Sequence, residues 1–226
     1  MPDSLISQWY QELPHYQSGD DPDLWTNQMH KALRHYRRKV RLRYKEGTLQ
    51  RLLDHPSIRT RRAAVLALGL TGTVDSNAAL AKLLHDEDEL VSKTASDSLW
   101  EIWFRGDNSE ASIELQRIMH LTDREQVLAG IENLIRAWPD FAEAYNQRAI
   151  LNYQRGEFAK SVADCERVME LNPYHFGAQA GMGQCYIKLR KFSSALQAFQ
   201  LALDINPTLT DLSETIRTLE GIVEEG

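Results

Sequence analysis

Cysteine is nearly absent from this chain. Among its 226 residues only Cys165 and Cys185 carry thiols. Two are too few for a disulfide framework or an all-cysteine zinc site, so a reducing, cytoplasmic setting is the simplest expectation. Proline and glycine are sparse as well, at seven and 12, which excludes a Pro/Gly-rich linker or a collagen-like chain. Long apolar runs are missing. The longest, Ala63 to Leu70, falls far short of the roughly 20 residues of a membrane span. No secretory leader is expected: Asp3 stands where a basic start would be, and Gln8, Gln11 and Glu12 interrupt any apolar segment.

What is present is ordinary for a folded chain, 42% hydrophobic and 26% charged, with a Leu, Ala, Glu and Arg richness that favours helix. The charge is unevenly placed. Residues 1–30 hold five acids and no Lys or Arg, residues 31–62 hold 12 Lys and Arg against two acids, and the remainder holds 14 against 25. The net charge of −6 is thus the residue of a basic block set between acidic segments.

Internal repeats organise the C-terminal half. Pro139, Pro173 and Pro207 stand 34 residues apart, each after an amphipathic stretch and a short turn, where a proline closes one helix ahead of the next. Aligned on these prolines, residues 142–173 and 176–207 resemble tetratricopeptide repeats (TPRs). The second copy carries Gly183, Tyr186, Phe192, Ala195, Phe199, Ala202 and Pro207 in the order of that family. The first carries Ala149, Phe158, Ser161, Val168 and Pro173, and departs from the pattern at Arg148 and Asn152. The resemblance implies paired amphipathic helices. Small residues at Ala149/Gly183 and Ser161/Ala195 would let each pair approach, and stacking would bury a continuous core.

A second repeat lies upstream. TRRAAVLALGLTG, residues 60–72, and VSKTASDSLWEIW, residues 91–103, are 31 apart and share small residues followed by Leu68 or Leu99. They resemble short HEAT-like repeats of the kind found in phycobilisome lyase subunits and bacterial scaffolds. Arg61 sits where that family favours Arg. Ahead of them, Trp25, Met29, Leu33, Tyr36, Val40 and Tyr44 form one stripe of a helix over 22–46, capped by Asp21 and ended by Gly47. Residues 3–13 read as a short helix before it. The expected fold is an all-α, α-α superhelix (solenoid). It comprises a helical segment with the basic helix over 1–47, HEAT-like repeats over 48–107, and a degenerate TPR-like hairpin over 108–141. Two TPRs over 142–207 and a capping helix over 208–226 complete it.

No catalytic constellation emerges. The seven histidines are scattered and read as turn and surface residues, and no G-x-S-x-G accompanies them. H-E-x-x-H and C-x-x-C are absent, and Asp86 to Glu89 lack the spacing of a calcium loop, so they read as a solvated first helical turn. Gly69–Gly72 reads as a helix end and Gly181–Gly183 as close helix packing, not as phosphate loops. The chain is therefore expected to be non-enzymatic, with no metal and no cofactor.

Two surfaces remain. The TPR resemblance implies a concave groove lined by the first helix of each pair, offering Asn146, Ile150, Tyr153 and Gln154 from one repeat and Gln184, Ile187 and Lys188 from the next to a protein or peptide partner. The chaperone-tail clamp of one TPR subclass is not expected, because Asn146 and Ile150 occupy its decisive positions. The second surface is the basic block: Arg34, Arg37, Arg38, Arg41 and Lys45 on one side of the long helix, with Arg61 nearby. It suits nucleic acid, an anionic surface or an acidic protein, or else a solvated face paired with the chain's own acids. A protein-interaction adaptor is the leading reading. Nucleic-acid or anionic-surface binding ranks behind it, and a lyase-like HEAT subunit is the third.

Overall fold

The computed structural model describes residues 4–19 and 21–225, and divides into two compact units, Met1–Ile102 and Trp103–Gly226. Among the described residues it is all-helical, with 13 α-helices and no strand. Asp3, the expected start of the first helix, lies outside the described residues, as does Gly226 at the end of the expected capping segment.

The first unit is arranged around one helix. Helix α1 (Leu5–Gln11), α2 (Pro22–Arg43) and α3 (Glu46–Leu52) all pack on α4 (Ile58–Thr71). A 3-10 turn (Val74–Ser76), α5 (Asn77–Leu83) and α6 (Glu89–Arg105) follow. α4 buries Thr60, Ala63, Ala64, Val65, Ala67, Leu68 and Gly69, so it is enclosed rather than amphipathic. Polar contacts fix its neighbours. The Ser4 and Thr60 hydroxyls lie 2.9 Å apart, and the Tyr36 hydroxyl of α2 donates to the Ala63 carbonyl at 2.8 Å. Gly69 is required by proximity: a Cβ there would lie 2.4 Å from Ser98 Oγ of α6.

α2 begins as expected. Asp21 accepts from the Asp23 and Leu24 amides at 2.9 Å, with Pro22 in the first turn. Its end is a correction. The helix stops at Arg43, Tyr44 turns extended (φ −120, ψ 135), and Gly47 lies inside α3 rather than ending α2. Two contacts explain the early break. Tyr44 meets the edge of the Trp9 ring, with centroids 6.1 Å apart. Glu46 is drawn to the 73–76 turn, accepting from the Thr73 amide at 2.8 Å and the Ser76 hydroxyl at 2.6 Å.

The second unit is a sequence of helical hairpins: α7 (Ser109–Met119) with α8 (Arg124–Ala137), α9 (Ala142–Gln154) with α10 (Phe158–Leu171), and α11 (Phe176–Lys188) with α12 (Phe192–Ile205). They are followed by α13 (Leu212–Glu225). Its buried apolar residues form successive clusters. Leu115, Ile118, Ile131 and Leu134 lie under the first hairpin, Ala149, Val168, Ala178 and Met182 bridge the next two, and Phe199 with Ile216 and Leu219 closes the array. Each hairpin thus hides its apolar face against its neighbours.

The 34-residue period is visible in the backbone. Asn172 and Asn206 end α10 and α12, and each side-chain oxygen accepts an amide two residues on, from Tyr174 and Thr208. Gly156 (φ 77) and Arg190 (φ 59) hold the left-handed position after α9 and α11. Gly183 is a close-packing site, since a Cβ there would lie 2.7 Å from the Phe199 ring.

Candidate functional site

The expected groove residues sit on α9 and α11, the first helices of the two repeats. Three pairs occupy equivalent positions 34 residues apart: Ile150 with Gln184, Tyr153 with Ile187, and Gln154 with Lys188. Ile150 is 43% exposed, and Gln154, Gln184 and Lys188 are also exposed. Tyr153 is half-buried with its ring tilted against Phe158 at 5.4 Å. Ile187 is half-buried because it packs on the Ala195–Phe199 cluster. Asn146 is a correction: it is buried, 4% exposed, and donates to Glu143 Oε1 at 3.0 Å. It belongs to the interior of the repeat rather than to an open face.

That interior contains a polar cluster the sequence reading missed. Glu143 is fully buried. Its carboxylate accepts from Asn146, from Gln147 Nε2 at 2.7 Å, and from His175 Nε2 at 3.2 Å. His175 Nδ1 accepts the Ala178 amide at 3.0 Å and so caps α11, which leaves the proton on Nε2 for Glu143. The ring is fully buried and stacks on Trp103 with centroids 4.2 Å apart. His175, expected among the surface histidines, instead ties α9 to the start of α11. A carboxylate supplied with three side-chain donors is satisfied in place, and it is suited to positioning rather than proton transfer.

The two departures from the TPR pattern have one cause. Arg148 donates to Asp164 through Nε and Nη2, the latter at 2.6 Å, and Asn152 donates to the same carboxylate at 3.0 Å. Asp164, in α10, is buried. The polar residues at 148 and 152 therefore stand where the family places Leu and an aromatic because the facing helix supplies a carboxylate. The hydrogen bond to Asp164 raises the Arg148 guanidinium above its usual range.

The basic block divides into two parts with opposite fates. Arg61 is a correction: it is not a free patch residue but forks onto Asp86 through Nε and Nη2 at 2.8 and 2.9 Å, and its side chain is only 11% exposed. Arg62 makes the same bidentate contact with Asp88 at 2.8 and 2.6 Å. Asp86 and Asp88 are accordingly more than a solvated turn. Asp88 also accepts the Val91 amide at 3.1 Å near the start of α6, and Arg62 holds its carboxyl below the ordinary range. This double clasp ties α4 to the entry of α6. An open depression of about 460 Å³ beside it is lined by Leu53, His55, Arg61, Lys82 and Asp86, but its arginine is already neutralised.

On α2 the cations other than Lys39 have no such partners among the described residues. Arg34, Arg38 and Arg41 are exposed and Arg37 is half-buried, and none is within ion-pair distance of a described carboxylate. Lys31 shares that condition, whereas Lys39 pairs with Glu12 at 2.6 Å. Lys45 is exposed but lies off the helix, as the extended N-cap of α3. The only acid within α2 is Asp23, in its first turn. Like charges at i,i+3 and i,i+4 cost a helix about 0.2–0.5 kcal/mol per pair, and only Arg41 and Arg43, in the last turn, gain from the helix dipole.

Cys165 and Cys185 are buried on α10 and α11. The Cys185 thiol donates to Ser161 Oγ at 3.2 Å, and burial pushes the Cys165 thiol up to about 12. Both are held as packing thiols rather than thiolates. Among the described residues no group of three or more His, Cys, Asp or Glu side chains is placed to hold a metal, and no helix is long and apolar enough to cross a membrane.

Comparison with known proteins places these features. Residues 46–135 match the HEAT repeats, a stretch that includes α7 and most of α8, and residues 142–175 and 177–209 match the tetratricopeptide repeat. A TPR repeat-containing protein of Rhizobium etli is 35% identical over 119 residues, covering 50% of this chain and 58% of that protein. The Protein SGT1 homolog of Bos taurus is 32% identical over 92 residues, covering 39% of this chain and 27% of its own length. The chain thus spans less than two thirds of the length of either relative. Among solved structures, the TPR2B-domain:pHsp70 complex of yeast Sti1 aligns with a TM-score of 0.40 at 21% identity, over 50% of this chain and 89% of that one. The two 34-residue hairpins, their aligned caps and the family matches together show two tetratricopeptide repeats over residues 142–209, preceded by HEAT repeats over 46–135.

Proposed function

We propose that the chain is a protein-interaction adaptor whose paired first TPR helices, α9 and α11, receive a segment of a partner protein. The observation that carries this is the exposure of equivalent side chains on adjacent repeats: Ile150, Gln154, Gln184 and Lys188 are exposed, with Tyr153 and Ile187 half-buried between them. Such a face offers an apolar and aromatic anchor, amides for main-chain hydrogen bonds, and one cation. The interior of both repeats is closed by packing and by the Glu143 and Asp164 clusters, so the side chains that remain outward are the ones available for contact.

The test is quantitative capture of bound proteins from native lysate with wild type and with Tyr153→Ala/Gln154→Ala/Lys188→Ala. These side chains are not part of either buried polar cluster, so the far-ultraviolet circular dichroism spectrum should be unchanged. Truncating a rigid aromatic contact typically costs about 2 kcal/mol, so recovery of a partner that docks here should fall at least about tenfold. Equal recovery by the two proteins would remove the groove from the proposal.

A further inference from the structure

We propose that the exposed basic edge of α2 binds the phosphate backbone of duplex nucleic acid, without reading its sequence. Lys31, Arg34, Arg38 and Arg41 recur at i, i+3, i+7 and i+10 along the helix. They fall on one side, opposite the buried Tyr36 and Val40. The line is about 15 Å long at 1.5 Å per residue, roughly four steps of one duplex strand.

Other cations of the same unit are given acids: Glu12 for Lys39, Asp86 for Arg61 and Asp88 for Arg62. None reaches these four, among the described residues, and α2 carries no acid beyond Asp23. An external anion would relieve the repulsion that the helix otherwise bears. Three of the four are arginines, whose planar forks match phosphate oxygens bidentately.

A lipid surface fits less well. A helix lying in a membrane interface needs its apolar face free, and on α2 the basic line lies opposite Tyr36 and Val40, which are buried, the Tyr36 hydroxyl donating to the Ala63 carbonyl of α4. The exposed large apolar side chains of α2, Leu24 at 58% and Leu42 at 82%, stand near its opposite ends rather than forming a continuous face. The net charge of −6 opposes any general attraction to anions, so binding must come from the local line and must weaken with salt.

Fluorescence anisotropy of a labelled duplex of mixed sequence, titrated with the full chain between low and physiological salt, tests the proposal. Saturable binding is expected, with log K falling against log salt at a slope of about −3 to −4 for four phosphate contacts. Lys31→Gln/Arg34→Gln/Arg38→Gln/Arg41→Gln should weaken binding at least about tenfold at low salt and flatten that slope. Arg34→Gln/Arg41→Gln should lose about half of the slope and serves if the fourfold variant misfolds. Lys82→Gln/Lys93→Gln/Lys191→Gln/Arg217→Gln removes the same charge from exposed positions elsewhere and should bind like wild type. No duplex binding at low salt, equal losses in the two fourfold variants, or binding confined to phosphatidylserine vesicles or to polyglutamate would each overturn it.

Discussion

Arg190 occupies a backbone position that suits glycine. Its φ of 59 matches that of Gly156, one repeat earlier, at 77. The same hydrogen bonds close both turns, Gly156 to Tyr153 and Arg190 to Ile187, each at 3.0 Å. A residue with a Cβ pays about 1 kcal/mol to stand in the left-handed region. Arg190→Gly should therefore stabilise the chain by about that amount, read as a raised midpoint in urea unfolding. A lowered midpoint would show that the Arg190 side chain contributes more than the strain it bears. Arg148 makes the opposite case. Arg148→Leu restores the TPR pattern at one position but leaves the buried Asp164 with Asn152 alone, which should cost about 2 kcal/mol. Changing Arg148→Leu, Asn152→Tyr and Asp164→Ala together removes the whole polar cluster and should recover most of that loss. Equal stability of the single and triple variants would deny the cluster its role. Sequence alignment exposed Arg148 and Asn152 as departures. Their explanation was not legible, because the carboxylate that needs them comes from α10, in another part of the same repeat.

At the scale of the element, the helices were the most legible part of the chain. Proline spacing, Asp21 and the stripe from Trp25 to Val40 each encode local geometry, and the structure follows them. Where long-range contacts intervene, local reading fails. Gly47 looked like the end of α2, but Glu46 is held by Thr73 and Ser76, and this pairing begins α3 instead. Likewise the run Asp86–Glu89 reads locally as a charged helix start, and only the fold shows Arg61 and Arg62 facing it. The clasp makes a prediction about acid stability. The Asp88 carboxyl is depressed in the folded chain, chiefly by its hydrogen bonds from Arg62. A depressed carboxyl contributes stability that is present above its unfolded pKa and lost as pH falls through the folded value. Asp88→Asn keeps the helix cap but removes the charge, and should lower the thermal midpoint at pH 7. The gap to wild type should then close as the pH drops below about 4. A gap that stays constant from pH 7 to pH 3 would show that the ion pair does not contribute.

For the whole molecule, charge divides along the two units. Residues 1–102 hold 14 Lys and Arg against 14 acids, while residues 103–226 hold 12 against 18. The basic line belongs to the balanced unit and the TPR face to the acidic one, so the two proposed surfaces differ in chemistry as well as in place. Duplex binding by cations should fade with salt, whereas a face of Ile150, Tyr153, Gln154 and Gln184 should respond weakly to it. This separates two ways of capturing a protein from lysate: directly on the repeats, or through nucleic acid held on α2. Capture by wild type is expected to survive nuclease treatment and to be lost in Tyr153→Ala/Gln154→Ala/Lys188→Ala. The fourfold α2 variant should retain the captured protein while losing the duplex. If the sites are independent, a chain carrying both sets of changes should show losses that add in free energy to within about 0.5 kcal/mol. Protein capture that disappears with nuclease, or with the α2 changes alone, would make α2 rather than the repeats the primary contact.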